Sequence, residues 1–88
     1  MAYNRVVQIL EEPDGIFSIR LPDRHTLVID NLKRLIPAKH RNTDAGLGWQ
    51  PELQVWRFPM DYQHDLTLLI ERLAPEWKIR FVDVIEEL

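Results

Sequence analysis

The chain opens with apolar and polar positions in a period of two. Residues 6–10 are rich in β-branched side chains, and over residues 15–21 Phe17, Ile19 and Leu21 fall on one face. Between these runs Pro13 fixes φ and Asp14-Gly15 admits the positive φ that closes a turn, so the pattern predicts an antiparallel hairpin. The period then lengthens. Val28, Leu32, Leu35 and Ile36 recur at helical spacing, with Asp23 of Pro22-Asp23 as the expected N-cap and Pro37 as the stop. Lys33 and Arg34 lie off that stripe near the C-terminal end, where the helix dipole favours cations. Because Thr26-Leu27-Val28-Ile29 is also β-prone, a strand over residues 25–29 is the competing assignment.

Residues 38–48 are polar and hold Gly46 and Gly48, which predicts a loop and the most mobile part of the chain. Beyond it, Gln50-Pro51-Glu52 signals a turn between Trp49 and the run 53–58. That run sets Trp56 and Phe58 on one face and Val55 and Arg57 on the other, predicting a second hairpin. Asp61 is placed to cap a helix whose apolar stripe is Tyr62, Leu66, Leu69, Ile70 and Leu73. Pro75 stops that helix, and residues 77–82 alternate again, with Trp77, Ile79 and Phe81 together. The expected architecture is a single α+β domain over residues 1–88 in the order β-β-α-β-β-α-β, a mainly antiparallel sheet with both helices on one face and the other face free.

Composition narrows the function. An 88-residue chain that is 45% hydrophobic supports one ordered core, but it is too short for a self-contained motor, kinase or dehydrogenase. The absence of cysteine removes disulfides, thiolate zinc sites and thiol nucleophiles, and a reducing, cytoplasmic setting is expected. Apolar runs are only a few residues long and the N-terminus lacks a signal-peptide pattern, so no membrane association is expected. His25, His40 and His64 have no metal spacing, and Ser18, His40 and Asp44 lack a nucleophile elbow. Glu11-Glu12 and Glu86-Glu87 are adjacent pairs that point apart, and the glycines form no phosphate loop. The expectation is a non-enzymatic domain without metal or cofactor.

The net charge of −3 is unevenly spread. Between Arg20 and Arg41 six basic residues face two acidic ones, a local +4 that leaves −7 elsewhere, mostly in residues 11–14 and 83–87. Of the three tryptophans, Trp56 and Trp77 read as packing residues of a small sheet. Trp49 instead follows a loop carrying Lys39, His40 and Arg41, and an aromatic beside basic residues suits stacking on bases with phosphate contact. The candidate nucleic-acid contacts are Arg24, Lys33, Arg34, Lys39, Arg41, Trp49 and Arg57.

The segment from Leu35-Ile36-Pro37 to Leu73, above all residues 49–59 followed by Tyr62 and Leu66, resembles the HARP domain found beside the motor of annealing helicases, with related folds in phage recombination and excision-repair helicases. The resemblance implies an accessory DNA-binding domain that recognises forks or single-strand junctions and works with a separately encoded helicase. On this resemblance Lys39 and Arg41 correspond to the basic loop, Trp49 to the aromatic before the turn, and Trp56 and Phe58 to the packing strand, with Arg57 and Tyr62 following. The competing hypothesis is a protein-interaction or regulatory module that binds through the free sheet face or the edge strand at residues 77–82, as a homodimer or with another protein.

Overall fold

The computed structural model describes residues 5–86. Both expected hairpins form. β1 (Val6–Glu12) and β2 (Ile16–Arg20) pair antiparallel with Ile9 opposite Ile19, and Gly15 at φ +73° supplies the backbone conformation their turn requires. β3 (Gly48–Gln50) and β4 (Val55–Pro59) pair antiparallel with Trp49 opposite Trp56. Leu53 and Gln54, expected to open the second strand, belong to the turn instead, because Gln54 takes φ +55°, outside the range of a continuing strand. β4 joins β2 with Phe58 opposite Phe17, and β5 (Lys78–Phe81) joins the far side of β1 in parallel, giving the order β3-β4-β2-β1-β5. The sheet is therefore mainly antiparallel, with one parallel pairing at its edge.

Two α-helices occupy one face. α1 (Thr26–Leu35) forms in place of the competing strand, because Val28, Leu32 and the following Ile36 make a continuous stripe that the sheet can bury. Its N-cap is His25, whose Nδ1 accepts the Val28 N–H at 3.3 Å; Asp23 lies two residues too early to cap a helix that begins at Thr26. α2 (Gln63–Leu73) is preceded by a single 3₁₀ turn, Met60–Tyr62, which takes in Asp61. The N-cap of α2 is then Tyr62, with no side-chain hydrogen bond. The polar segment after α1 is folded into two further 3₁₀ turns, Ala38–His40 and Thr43–Ala45, the second capped by the Asn42 side chain accepting the Asp44 N–H.

The core lies between helices and sheet. Val7, Ile9, Phe17, Ile19 and Phe58 face Val28, Leu32, Leu66 and Ile70, all buried, each worth about 1.5–3 kcal/mol of transfer free energy. Trp77 is buried just before β5, which begins one residue later than the alternation suggests. The second sheet face is partly covered rather than free. There the Gln8 carboxamide donates to the Glu86 carbonyl at 2.7 Å and accepts the Glu86 N–H at 2.8 Å, so one side chain pairs with the returning chain as a peptide group would. Among the described residues no helix is long and apolar enough to cross a membrane.

Candidate nucleic-acid interface

An aromatic ladder runs from the core to the surface along the helix-bearing face. Strand alternation puts Trp56 and Phe58 on the same side of β4, and cross-strand pairing brings Phe17 and Trp49 to either end. Ring centroids of Phe17 and Phe58 are 5.9 Å apart, those of Phe58 and Trp56 5.9 Å at an interplanar angle of 18°, and those of Trp56 and Trp49 5.3 Å. The inner members are buried, Trp56 is half-buried, and Trp49 at the outer end remains 41% exposed.

Trp49 and Trp56 form one wall of a groove of about 440 Å³ between the β3–β4 hairpin and α1. Leu21 and Ile29 line it with apolar surface. Lys33 stands one helical turn after Ile29 on the same side of α1, and Asp23 and Arg24 of the β2–α1 connection complete it with Gln54 of the hairpin turn. A second hollow continues over Arg20 and Pro22. Arg20 fixes the turn by donating to the Leu53 carbonyl at 2.6 Å and the Gln54 carbonyl at 3.3 Å. The groove thus combines a flat indole face, two cations and a small set of side-chain donors and acceptors, a constitution suited to an unpaired nucleotide.

The expected contact residues do not share one surface. Arg24, Lys33 and Trp49 meet at the groove. Arg34, about 100° further round α1 than Lys33, is exposed outside the groove lining. Lys39 is exposed on the first 3₁₀ turn after α1, while Arg41 donates Nε to the Ile36 carbonyl at 2.7 Å and so closes the end of that helix. Arg57 points to the opposite sheet face, as its alternation with Trp56 and Phe58 demands. There Nη2 and Nε donate to the Glu12 carboxylate at 2.9 and 3.1 Å and Nη1 to the Gly46 carbonyl at 3.0 Å.

Glu12 completes that second cluster, with the Ser18 hydroxyl as a further donor. Burial works to raise the Glu12 carboxyl, but the hydrogen bonds from Ser18 and Arg57 and the guanidinium charge outweigh it and hold the group below the usual carboxylate range. The neighbouring Glu11 points the other way and accepts from Gln63 at 2.9 Å, so the acidic pair diverges as expected for a strand. His40 Nδ1 is hydrogen-bonded to the Tyr62 hydroxyl at 2.6 Å, away from Ser18 and its partner Glu12. Among the described residues no three His, Asp or Glu side chains gather as metal ligands.

Asp23, Gln54 and the contribution of Trp56 to a surface groove escape sequence reasoning. Asp23 carries a helix-capping signature, Gln54 sits inside an alternating run, and Trp56 reads as core. No family model, curated protein or solved structure matches this chain.

Proposed function

We propose that this is a non-catalytic domain that holds single-stranded nucleic acid, or the unpaired side of a junction, in the groove between α1 and the β3–β4 hairpin. One base stacks on Trp49, and Arg24 and Lys33 neutralise the flanking phosphates. The observation that carries the reading is the outer tryptophan of the ladder, 41% exposed and sharing a groove with both cations. The resemblance to helicase-accessory domains agrees with it on Trp49, and the reading shifts the basic contacts from Lys39, Arg41 and Arg57 to Arg24 and Lys33. A separately encoded helicase is the partner this function implies.

The test is fluorescence anisotropy of labelled single-stranded, duplex and forked DNA at about 50 and about 200 mM salt. Single-stranded and forked probes bind more tightly than duplex, and affinity falls with salt. Arg24→Gln and Lys33→Gln each reduce the salt slope by about one. Trp49→Leu, which keeps apolar cover over Trp56 but removes the π face, weakens binding roughly 5- to 150-fold, the loss of about 1–3 kcal/mol of stacking. Absence of binding at low salt refutes the proposal.

A second reading rests on a separate observation. β5 is a sheet edge, and Phe81 at its end and Val84 beyond it are 58% and 67% exposed, as at a protein contact. It predicts a change in sedimentation on adding a partner, abolished by Phe81→Ser, with the groove variants unaffected.

A further inference from the structure

The groove contains one acidic side chain among its cations, and phosphate binding gives that residue no task. Asp23 lines both the groove and the hollow beside it. Its Oδ2 lies 3.4 Å from Arg5 Nε in a pair whose side chains are both about half exposed, a contact that leaves most of the acceptor capacity of the carboxylate unused. Next to a phosphate this charge is repulsive. Next to the edge of an unpaired base it is a selector, since a carboxylate only accepts hydrogen bonds.

The four bases answer a carboxylate differently. Guanine presents two adjacent N–H donors, N1 and the 2-amino group, spaced to meet both carboxylate oxygens. Cytosine and adenine each present one amino group beside an acceptor, and thymine or uracil presents a single N–H between two carbonyl oxygens that a carboxylate repels. A second feature of the groove fits the same ligand. Gln54 is the one non-glycine with positive φ among the described residues, held in that uncommon conformation while Arg20 ties down its carbonyl and that of Leu53. Gln54 lines the same cavity, and a carboxamide carries the N–H donor that guanine O6 requires.

We infer that the groove is selective for an unpaired guanine, with Asp23 accepting from its Watson–Crick edge, Gln54 donating to O6 and Trp49 stacking on the ring. This rests on the nucleic-acid reading above and adds base specificity to it. Asp23 is thereby a specificity residue, and Arg24 and Lys33 are indifferent to sequence.

The experiment uses labelled oligothymidine of about 15 nucleotides and four versions carrying one central guanine, inosine, cytosine or adenine, so that the phosphate charge is constant. The guanine probe binds roughly 5- to 150-fold more tightly than oligothymidine, with cytosine and adenine between them. Inosine, which lacks the 2-amino group, loses most of the advantage of guanine. Asp23→Asn removes the preference for guanine and raises affinity for oligothymidine, because the carboxylate no longer repels the phosphates. Equal affinity for all probes, or a guanine preference unmoved by both inosine and Asp23→Asn, overturns this inference alone. Failure of every probe to bind overturns the nucleic-acid reading and this inference with it.

Discussion

Replacing Arg57 by methionine separates a residue that holds the fold from one that holds a ligand. The guanidinium donates two hydrogen bonds to Glu12 and one to the Gly46 carbonyl, and thereby ties β4 to the end of β1 and to the segment after α1. Both side chains of the ion pair are 26% exposed. Breaking a fully buried pair costs about 3–5 kcal/mol and breaking an exposed one about 0.2–1, so this partly covered pair falls between them at about 2 kcal/mol. In a chain of this length that lowers Tm by about 8–16 °C. Circular-dichroism melts of the parent, Arg57→Met, Glu12→Gln and the double variant give a coupling of about 1–2 kcal/mol. The pH dependence follows from the depressed Glu12 pKa. Its stabilisation is complete above the unfolded carboxylate pKa of about 4.3 and is lost as pH falls through the lower folded value. The gap between parent and Arg57→Met is therefore widest near neutrality and narrows on acidification. Binding of single-stranded DNA, measured where the variant remains folded, changes by less than about twofold. An Arg57→Met protein that melts with the parent, or that loses binding with its fold intact, refutes the assignment.

Gly48 sits at φ +76°, and a Cβ there would lie 2.5 Å from the Arg41 carbonyl oxygen, so Gly48→Ala lowers stability in urea by more than about 2 kcal/mol. Gly15→Ala, with nothing near its Cβ, costs about 1–2 kcal/mol from φ +73° alone. His25→Ala removes the cap of α1 and costs about 1 kcal/mol in the same assay, and His25→Asn restores most of it. Gln54→Gly relieves the left-handed backbone of the hairpin turn and raises Tm or leaves it unchanged, while the preference for guanine over thymine declines in the anisotropy assay.

The elements were legible wherever periodicity was unbroken. The two-residue alternation around Phe17 and Phe58 and the helical stripe through Leu66 and Ile70 each correspond to one buried face, so burial wrote them directly into the sequence. Caps and turn bounds were less legible because they depend on φ at single residues. Asp23 and Asp61 carry capping side chains, yet His25 and Tyr62 stand at the positions where the backbone turns helical. The parallel placement of β5 beside β1 is a non-local pairing that no local pattern encodes. At the candidate site, Arg24, Lys33 and Trp49 stand out by residue type and line one groove, and their separation from Arg57 follows from strand parity. That parity is visible in the alternation of Trp56, Arg57 and Phe58, which sends the Arg57 guanidinium to the face opposite both aromatics. Asp23 and Gln54 join the groove only through tertiary packing.

The two kinds of groove residue are anchored differently, and on the proposed function this divides affinity from specificity. Trp49 rests on Trp56, which stacks on Phe58 and so connects to Phe17 in the core. Its orientation is therefore fixed by the same contacts that stabilise the sheet, and little freedom remains to be lost when a base stacks on it. The Gln54 turn is fixed by Arg20 in the same sense. Arg24 and Lys33, by contrast, are exposed side chains attached to the rim. They contribute charge wherever a phosphate lies within reach, without a set direction. On the proposed function, substitutions at these cations act on the salt-dependent part of binding, substitutions at Trp49 and Gln54 act on the part that persists when salt is raised, and Asp23→Asn acts on both. On the proposed function, a groove with this division is expected to retain its choice of base at high ionic strength even as its affinity falls, which anisotropy of the guanine and oligothymidine probes across a salt series checks.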